Sequence, residues 1–200
     1  MLDLVLRWDA AVAHWIAAHR VPPLDWLMLV LSIVGIGSGI WLIGTGLLTW
    51  RRLIAWRAGL QTVLAIALAQ SVTAGVLKPA VARDRPSLSS TSIVALGVQS
   101  QSYSFPSGHA SSSFAAALVL TRAWPAARVA VWTLASLIAF SRVYNGVHYP
   151  LDVVAGAMLG LTAATLVLTV SRWYIGASVP PAERGPFKRR RGSSVGRARD

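Results

Sequence analysis

His148 is followed four residues later by Asp152, the one acid between Asp84 and Glu183. A carboxylate can hold one imidazole nitrogen and leave the other free as nucleophile or base. An acid in the first turn of a helix is favourable in its own right, so the pair needs company before it reads as a site. That company is cationic. The chain has seventeen arginines and two lysines, and Lys78 is the one lysine outside the C-terminal tail. Seven residues after it comes Arg85-Pro86, preceded by Arg83 and Asp84. An arginine fork grips two oxygens of a phosphate while a lysine acts as a compact point charge, so together they suit a dianionic or trianionic group. Of the two arginines, one is expected to partner Asp84; Arg85 is favoured for the phosphate because Pro86 fixes the backbone after it. A second cluster, Phe105-Pro106-Ser107-Gly108-His109, stands immediately before an apolar run. There Ser107 can cap a helix, Gly108 lets a bound group approach the backbone, and His109 can move protons near neutral pH. The free N–H groups of a helix N-terminus also favour anions. Ser141-Arg142 then closes a further helix six residues before His148. His14 and His19, in the N-terminal segment, read as surface or interface residues.

Helices must gather these residues, and the composition says in what solvent. With 54% hydrophobic and 13% charged residues, the chain is too apolar for an ordinary soluble domain and belongs in a bilayer. Net charge is +12, and residues 172–200 hold eight Arg or Lys against Glu183 and Asp200. A cytoplasmic tail beside anionic headgroups explains that basic excess more simply than nucleic acid does. The absence of cysteine removes disulfides and thiolate chemistry. Residues 1–20, which include Asp3, Arg7 and Asp9, predict an interfacial amphipathic helix rather than a cleavable signal. Trp26–Trp50 and Ala58–Leu77 carry no charge and are long enough to cross a bilayer. Lys78 is expected to end the second span. Residues 79–104 read as a loop. A third helix is expected from the Pro-Ser-Gly-His stretch to about Ala123, a fourth over Ala126–Tyr144 and a fifth over Leu151–Ser171, with Pro150 at its first turn. The expectation is therefore an all-α, polytopic transmembrane bundle of about five spans plus an N-terminal amphipathic helix. It divides into residues 1–20, a membrane domain over 21–175 and a basic tail over 176–200. Loops 51–57 and 121–128 together with the tail hold most of the arginine, which puts all three in the cytoplasm and Lys78, Ser107, His109 and His148 at the extracytoplasmic face.

Lys78, six residues, Arg85-Pro86; Pro106-Ser107-Gly108-His109; and Ser141-Arg142, five residues, His148, three residues, Asp152 together resemble the three-part signature of the type 2 phosphatidic acid phosphatase superfamily. That superfamily includes membrane lipid phosphatases, undecaprenyl-diphosphate phosphatases and soluble vanadium-dependent haloperoxidases. The resemblance covers residues 78–152. It implies that His148 attacks phosphorus and forms a phosphohistidine, with Asp152 orienting it. It further implies that His109 protonates the leaving oxygen and then activates water, while Lys78, Arg85, Arg142, Ser107 and Gly108 hold the phosphoryl oxygens. No cofactor or metal is expected. The implied partners are a lipid phosphate, with a polyprenyl diphosphate first, and membrane lipid. Phosphatidylglycerophosphate, phosphatidate and prenyl-phosphosugars are alternative substrates. A vanadate-dependent oxidase and a non-enzymatic lipid binder or flippase are the remote readings, the second opposed by the presence of both histidines. The sequence does not indicate an oligomeric state.

Overall fold

The structure is a computed structural model and describes residues 1–97 and 101–177. Helices α1 (Leu2–Ala18), α2 (Pro22–Val34), α3 (Gly39–Trp50) and α4 (Trp56–Val72) are followed by two single-turn helices, α5 (Lys78–Val81) and α6 (Pro86–Ser89). Then come α7 (Gly108–Ala123), α8 (Arg128–Tyr144) and α9 (Pro150–Ala177). No strand is present among the described residues. The basic tail beyond residue 177 lies outside them.

The bundle is built around α7. Its apolar content is modest, but its residues are small: Ala110, Ser111, Ser112, Ser113, Ala115, Ala116 and Ala117 are all buried. In a bilayer there is little hydrophobic drive between helices, so close backbone approach through small residues is what brings them together. Helices α4, α8 and α9 pack directly on α7. On α9, Gly156 and Gly160 face the α7 backbone so closely that a Cβ at position 160 would sit 2.9 Å from the Ala115 nitrogen and inside van der Waals contact of the Ser111 carbonyl oxygen. From α3, the buried Trp41 indole N–H donates to Ser113 Oγ at 2.9 Å.

Among the described residues, three stretches are long and apolar enough to cross a membrane: Trp56–Ser89, Pro125–Tyr144 and Pro150–Trp173. The run expected as a single span over Trp26–Trp50 is instead two helices bent by 62° around a 3₁₀ turn at Ile36–Ser38. Three glycines, 35, 37 and 39, alternate through that turn, and Ser38 adopts a left-handed φ of 63°, which weakens helix continuation at every other residue. As one bent span this pair makes a fourth. Helix α7, at 16 residues, is shorter than a span requires, so the five-span expectation is not reached by length alone. Lys78 does not end its helix: α4 runs through a π turn over Thr73–Leu77 into α5, and Ala82, at φ 49°, closes it.

Candidate active site

Lys78 follows directly on the π turn, a distortion that often accompanies functional sites because it re-aims the side chains beyond it. Its ammonium donates to Ser102 Oγ at 2.9 Å and to the Tyr103 carbonyl at 2.6 Å. Arg85 sits in extended backbone as the cap of α6, with Pro86 at the helix start, as the Arg-Pro step requires. The Arg85 side chain is 2% exposed and donates from Nε to the Ser102 carbonyl (2.8 Å) and from NH1 to the Val147 carbonyl (2.8 Å). The end of the 79–104 stretch, expected only as a loop, therefore holds both cations in place. Ser102 and Tyr103 were not legible as contacts, since serine and backbone carbonyls carry no signal of their own.

His148 lies in the turn between α8 and α9. Arg85 NH1 stands 3.3 Å from His148 Nε2, and a guanidinium can only donate, so Nε2 is the acceptor and Nδ1 carries the proton. Nδ1 faces Asp152 Oδ2 at 3.5 Å, long for a hydrogen bond but within ion-pair reach. Asp152 is 0% exposed and accepts the Tyr149 N–H at 2.9 Å. Burial lowers the His148 pKa to about 4; Asp152 pulls it back up, while Arg85 and Arg142 push it down. The imidazole is accordingly neutral at physiological pH.

Arg83 does not partner Asp84, and neither does Arg85: among the described residues no ion pair joins either arginine to it. Arg83 bridges Asp152 Oδ1 and Asp9 Oδ2, each at 2.7 Å, and lies over the Tyr149 ring at 3.8 Å from its centroid. Asp84 is exposed, and its carbonyl accepts the Ser104 hydroxyl at 3.0 Å. The expectation failed because the true partners are 69 and 74 positions away in the chain. Asp9 was missed altogether, since a buried acid on α1 looks in sequence like any polar residue on an interfacial helix.

Ser107 caps α7, its hydroxyl accepting the Ala110 N–H at 3.5 Å, and its own N–H donates to the Asp152 carbonyl at 2.8 Å. This bond joins the start of α7 to the start of α9. Ser107 is buried behind Gly108 and His109, which line a cavity of about 620 Å³ together with Gln70, Lys78, Arg85, Arg142 and His148. Ser107 and Asp152 are not on its wall. His109 Nε2 is 3.1 Å from the Ser32 carbonyl, which only accepts, so Nε2 bears hydrogen and Nδ1 is the nitrogen without a bond among the described residues. Gly35 makes room for this ring: a Cβ there would meet His109 Cδ2 at 2.8 Å. Arg142, in the last turn of α8, donates from NH1 to Ser32 Oγ. With His109 it forms the wall shared with a second cavity of about 500 Å³, lined otherwise by Ser32 and by mainly apolar residues such as Leu29, Ile33 and Ile36.

Of the eight residues singled out from sequence, six thus face one cavity and two stand directly behind it. The donor set is cationic, with two imidazoles, which suits an anion. The model of the PAP2 superfamily matches residues 58–175, and the chain belongs to that superfamily. Among curated relatives, an undecaprenyl-diphosphatase of Sulfolobus acidocaldarius is 33% identical over 179 residues, covering 86% of this chain and 77% of that protein. A lipid A 4'-phosphatase of Bacteroides thetaiotaomicron is 35% identical over 118 residues, 52% of each chain. The chain thus spans about half the length of that relative. A crystal structure of a transmembrane PAP2-type phosphatidylglycerolphosphate phosphatase from Bacillus subtilis superposes with a TM-score of 0.69 at 27% identity, over 86% of this chain and 88% of that one. The apolar helices and these membrane relatives make the protein an integral membrane protein.

Proposed function

We propose that the protein is a lipid phosphatase that hydrolyses a terminal phosphate, of a polyprenyl diphosphate by preference, through a phosphohistidine on His148. The observation that carries this reading is the presentation of His148: Nε2 accepts, Nδ1 is backed by Asp152, and Lys78, Arg85 and Arg142 line the same cavity. In the first step His148 Nε2 attacks phosphorus as the bond to the leaving oxygen breaks. His109, neutral before substrate binds, takes a proton on its unbonded Nδ1 as the phosphate's charge enters the cavity and gives that proton to the leaving oxygen. In the second step His109 takes a proton from water, whose oxygen attacks phosphorus, and the P–N bond breaks to release phosphate and free imidazole. The three cations and the Gly108 N–H at the start of α7 stabilise the charge on the equatorial oxygens. Ser107 serves by capping the helix that aims this N–H. Cations occupy the role a divalent ion fills in other phosphoryl transfers, so the reaction proceeds without metal.

The substrate class follows the relatives, two of which are named for undecaprenyl diphosphate and lipid A, and the cavity, whose apolar neighbour lies on the His109 side where the leaving group departs. Sidedness follows from helix direction. Arg51, Arg52 and Arg57 lie at the start of α4 and Arg122 at the end of α7, whereas Lys78 and His109 lie at the opposite ends of the same helical segments. The arginine-rich end is then cytoplasmic and the site extracytoplasmic. The test is phosphate release from a polyprenyl diphosphate in detergent with EDTA. His148→Ala and His109→Ala are each expected to abolish it, and full activity in either variant rejects the mechanism.

A further inference from the structure

The ion pairs behind the site reach outside the domain that the family match covers. Asp9 lies on α1, and its side chain is 1% exposed. Oδ1 accepts the Leu151 N–H at 2.8 Å, at the start of α9, and Oδ2 accepts Arg83 NH2 at 2.7 Å. The other terminal nitrogen of the same guanidinium, NH1, donates to Asp152 Oδ1 at 2.7 Å. A planar guanidinium that donates one N–H to each of two carboxylates fixes the angle between them. Asp152 Oδ2 is left to the Tyr149 N–H and to His148 Nδ1. The line of contacts therefore runs from the N-terminal helix, through one arginine, to the acid that backs His148.

Holding α1 down does not require these charges. Ala13 on α1 already packs in an apolar cluster with Ile93 and Tyr149, and a buried ion pair is a weak source of stability once its desolvation is counted. What the network supplies beyond packing is direction. Each oxygen of Asp152 has an assigned partner, so the carboxylate cannot rotate without breaking a charge-assisted bond.

We infer that Arg83 and Asp9 are positioning residues, which fix the Asp152 carboxylate and through it the direction in which His148 presents Nε2. The inference rests on the reading of His148 as nucleophile. It makes α1 a part of the active-site scaffold, although its outer face, with Leu4, Trp8 and Trp15, is exposed and apolar.

The test compares Asp9→Asn, Arg83→Lys, Arg83→Gln and His148→Ala for phosphate release from a polyprenyl diphosphate in detergent across pH. The expected loss in Asp9→Asn and Arg83→Gln is on the order of 10²-fold in kcat, the effect of a small misplacement, with KM little changed. Arg83→Lys recovers part of it. The charges facing His148 from Arg85, Arg142 and His109 are untouched in all three positioning variants, so changes in the acid limb of kcat/KM report on Asp152. Without the Arg83 charge, Asp152 attracts the imidazolium more strongly and the acid limb moves up by about one unit. Without the Asp9 charge, Arg83 neutralises Asp152 more fully and the limb moves down. Opposite shifts are the signature of positioning. Activity that falls only with the folded fraction, the pH profile unmoved, overturns the inference while His148→Ala remains inactive. If Arg83→Gln does not fold, Asp9→Asn and Arg83→Lys decide between the same two outcomes. An active His148→Ala would overturn the nucleophile and this inference together.

Discussion

The contact between α7 and α9 sets the distance from the Ser107 cap to the His148 turn, and Gly160→Ala probes it. The added methyl would lie 2.9 Å from the Ala115 nitrogen and still closer to the Ser111 carbonyl oxygen. A relaxed carbon–oxygen contact is about 3.3 Å or more, and both neighbours are backbone, so no side chain can turn aside. The helices must part. Alanine in place of glycine gains up to about 1 kcal/mol of helix propensity, while overpacking a tight interface costs about 1–3 kcal/mol. With backbone on both sides the upper end applies, for a net loss of about 2 kcal/mol. The Ser107 N–H to Asp152 carbonyl bond, at 2.8 Å, lies one helical turn beyond Gly156 and stretches as α9 tilts. A shift approaching 1 Å there lowers kcat on the order of 10²-fold. Thermal unfolding in detergent and phosphate release are measured beside Gly44→Ala, where a methyl meets nothing within 4 Å and which should be neutral or stabilising. If Gly160→Ala were as stable and active as Gly44→Ala, the close approach of α7 and α9 would not govern the site.

Lowering pH tests the buried imidazole. Above pH 6.5 His148 is neutral folded or unfolded; between 6.5 and about 4 the unfolded chain takes up a proton that the folded chain refuses. Stability therefore falls as pH falls through that window, by on the order of 3 kcal/mol at its lower end, and His148→Gln should lose less in parallel thermal scans. Gly35→Ala should press on His109 Cδ2 and Ile138 Cγ2, at 2.8 and 2.9 Å, and lower kcat more than it raises KM in steady-state assays. Trp41→Phe should cost about 1 kcal/mol by leaving buried Ser113 Oγ without its indole donor, read as a fall in unfolding midpoint with kcat retained.

The convergence of Lys78, Arg85, Arg142 and both histidines was legible through the resemblance to the superfamily's three-part signature, whereas the start of α7, the course of α8 and the pieces of that signature rest on local signals. These were a serine cap, an apolar period, an Arg-Pro step and a fixed count between a histidine and its acid. The break at Ile36–Ser38 was not, since hydropathy is uniform across it and only the alternating glycines hint at a bend. The partners of Arg83 were illegible for a different reason. Local charge balance pointed to Asp84, but an exposed neighbour gives a guanidinium little, whereas two buried carboxylates need it to remain charged at all. Asp9 failed in the same way, because periodicity cannot tell a polar face turned to water from one turned to protein.

That distribution of charge bears on the substrate. Lys78, Arg83, Arg85 and Arg142 set four positive charges in and behind the cavity against the two carboxylates of Asp9 and Asp152, with both histidines neutral. Two positive charges are left over. Arg83 is saturated by its two acids, so the excess sits on the three cations that face the cavity, two of which lean on backbone carbonyls rather than on counter-charges. Burying such an excess is costly unless an anion answers it, and a phosphate with a free terminal end answers it in full with two negative charges. A phosphodiester brings only one and has no unsubstituted face to offer the third cation. On the proposed reading, the charge left over once Arg83 has been assigned to the back of the site selects a terminal phosphate or diphosphate over an internal diester before any contact with the lipid itself.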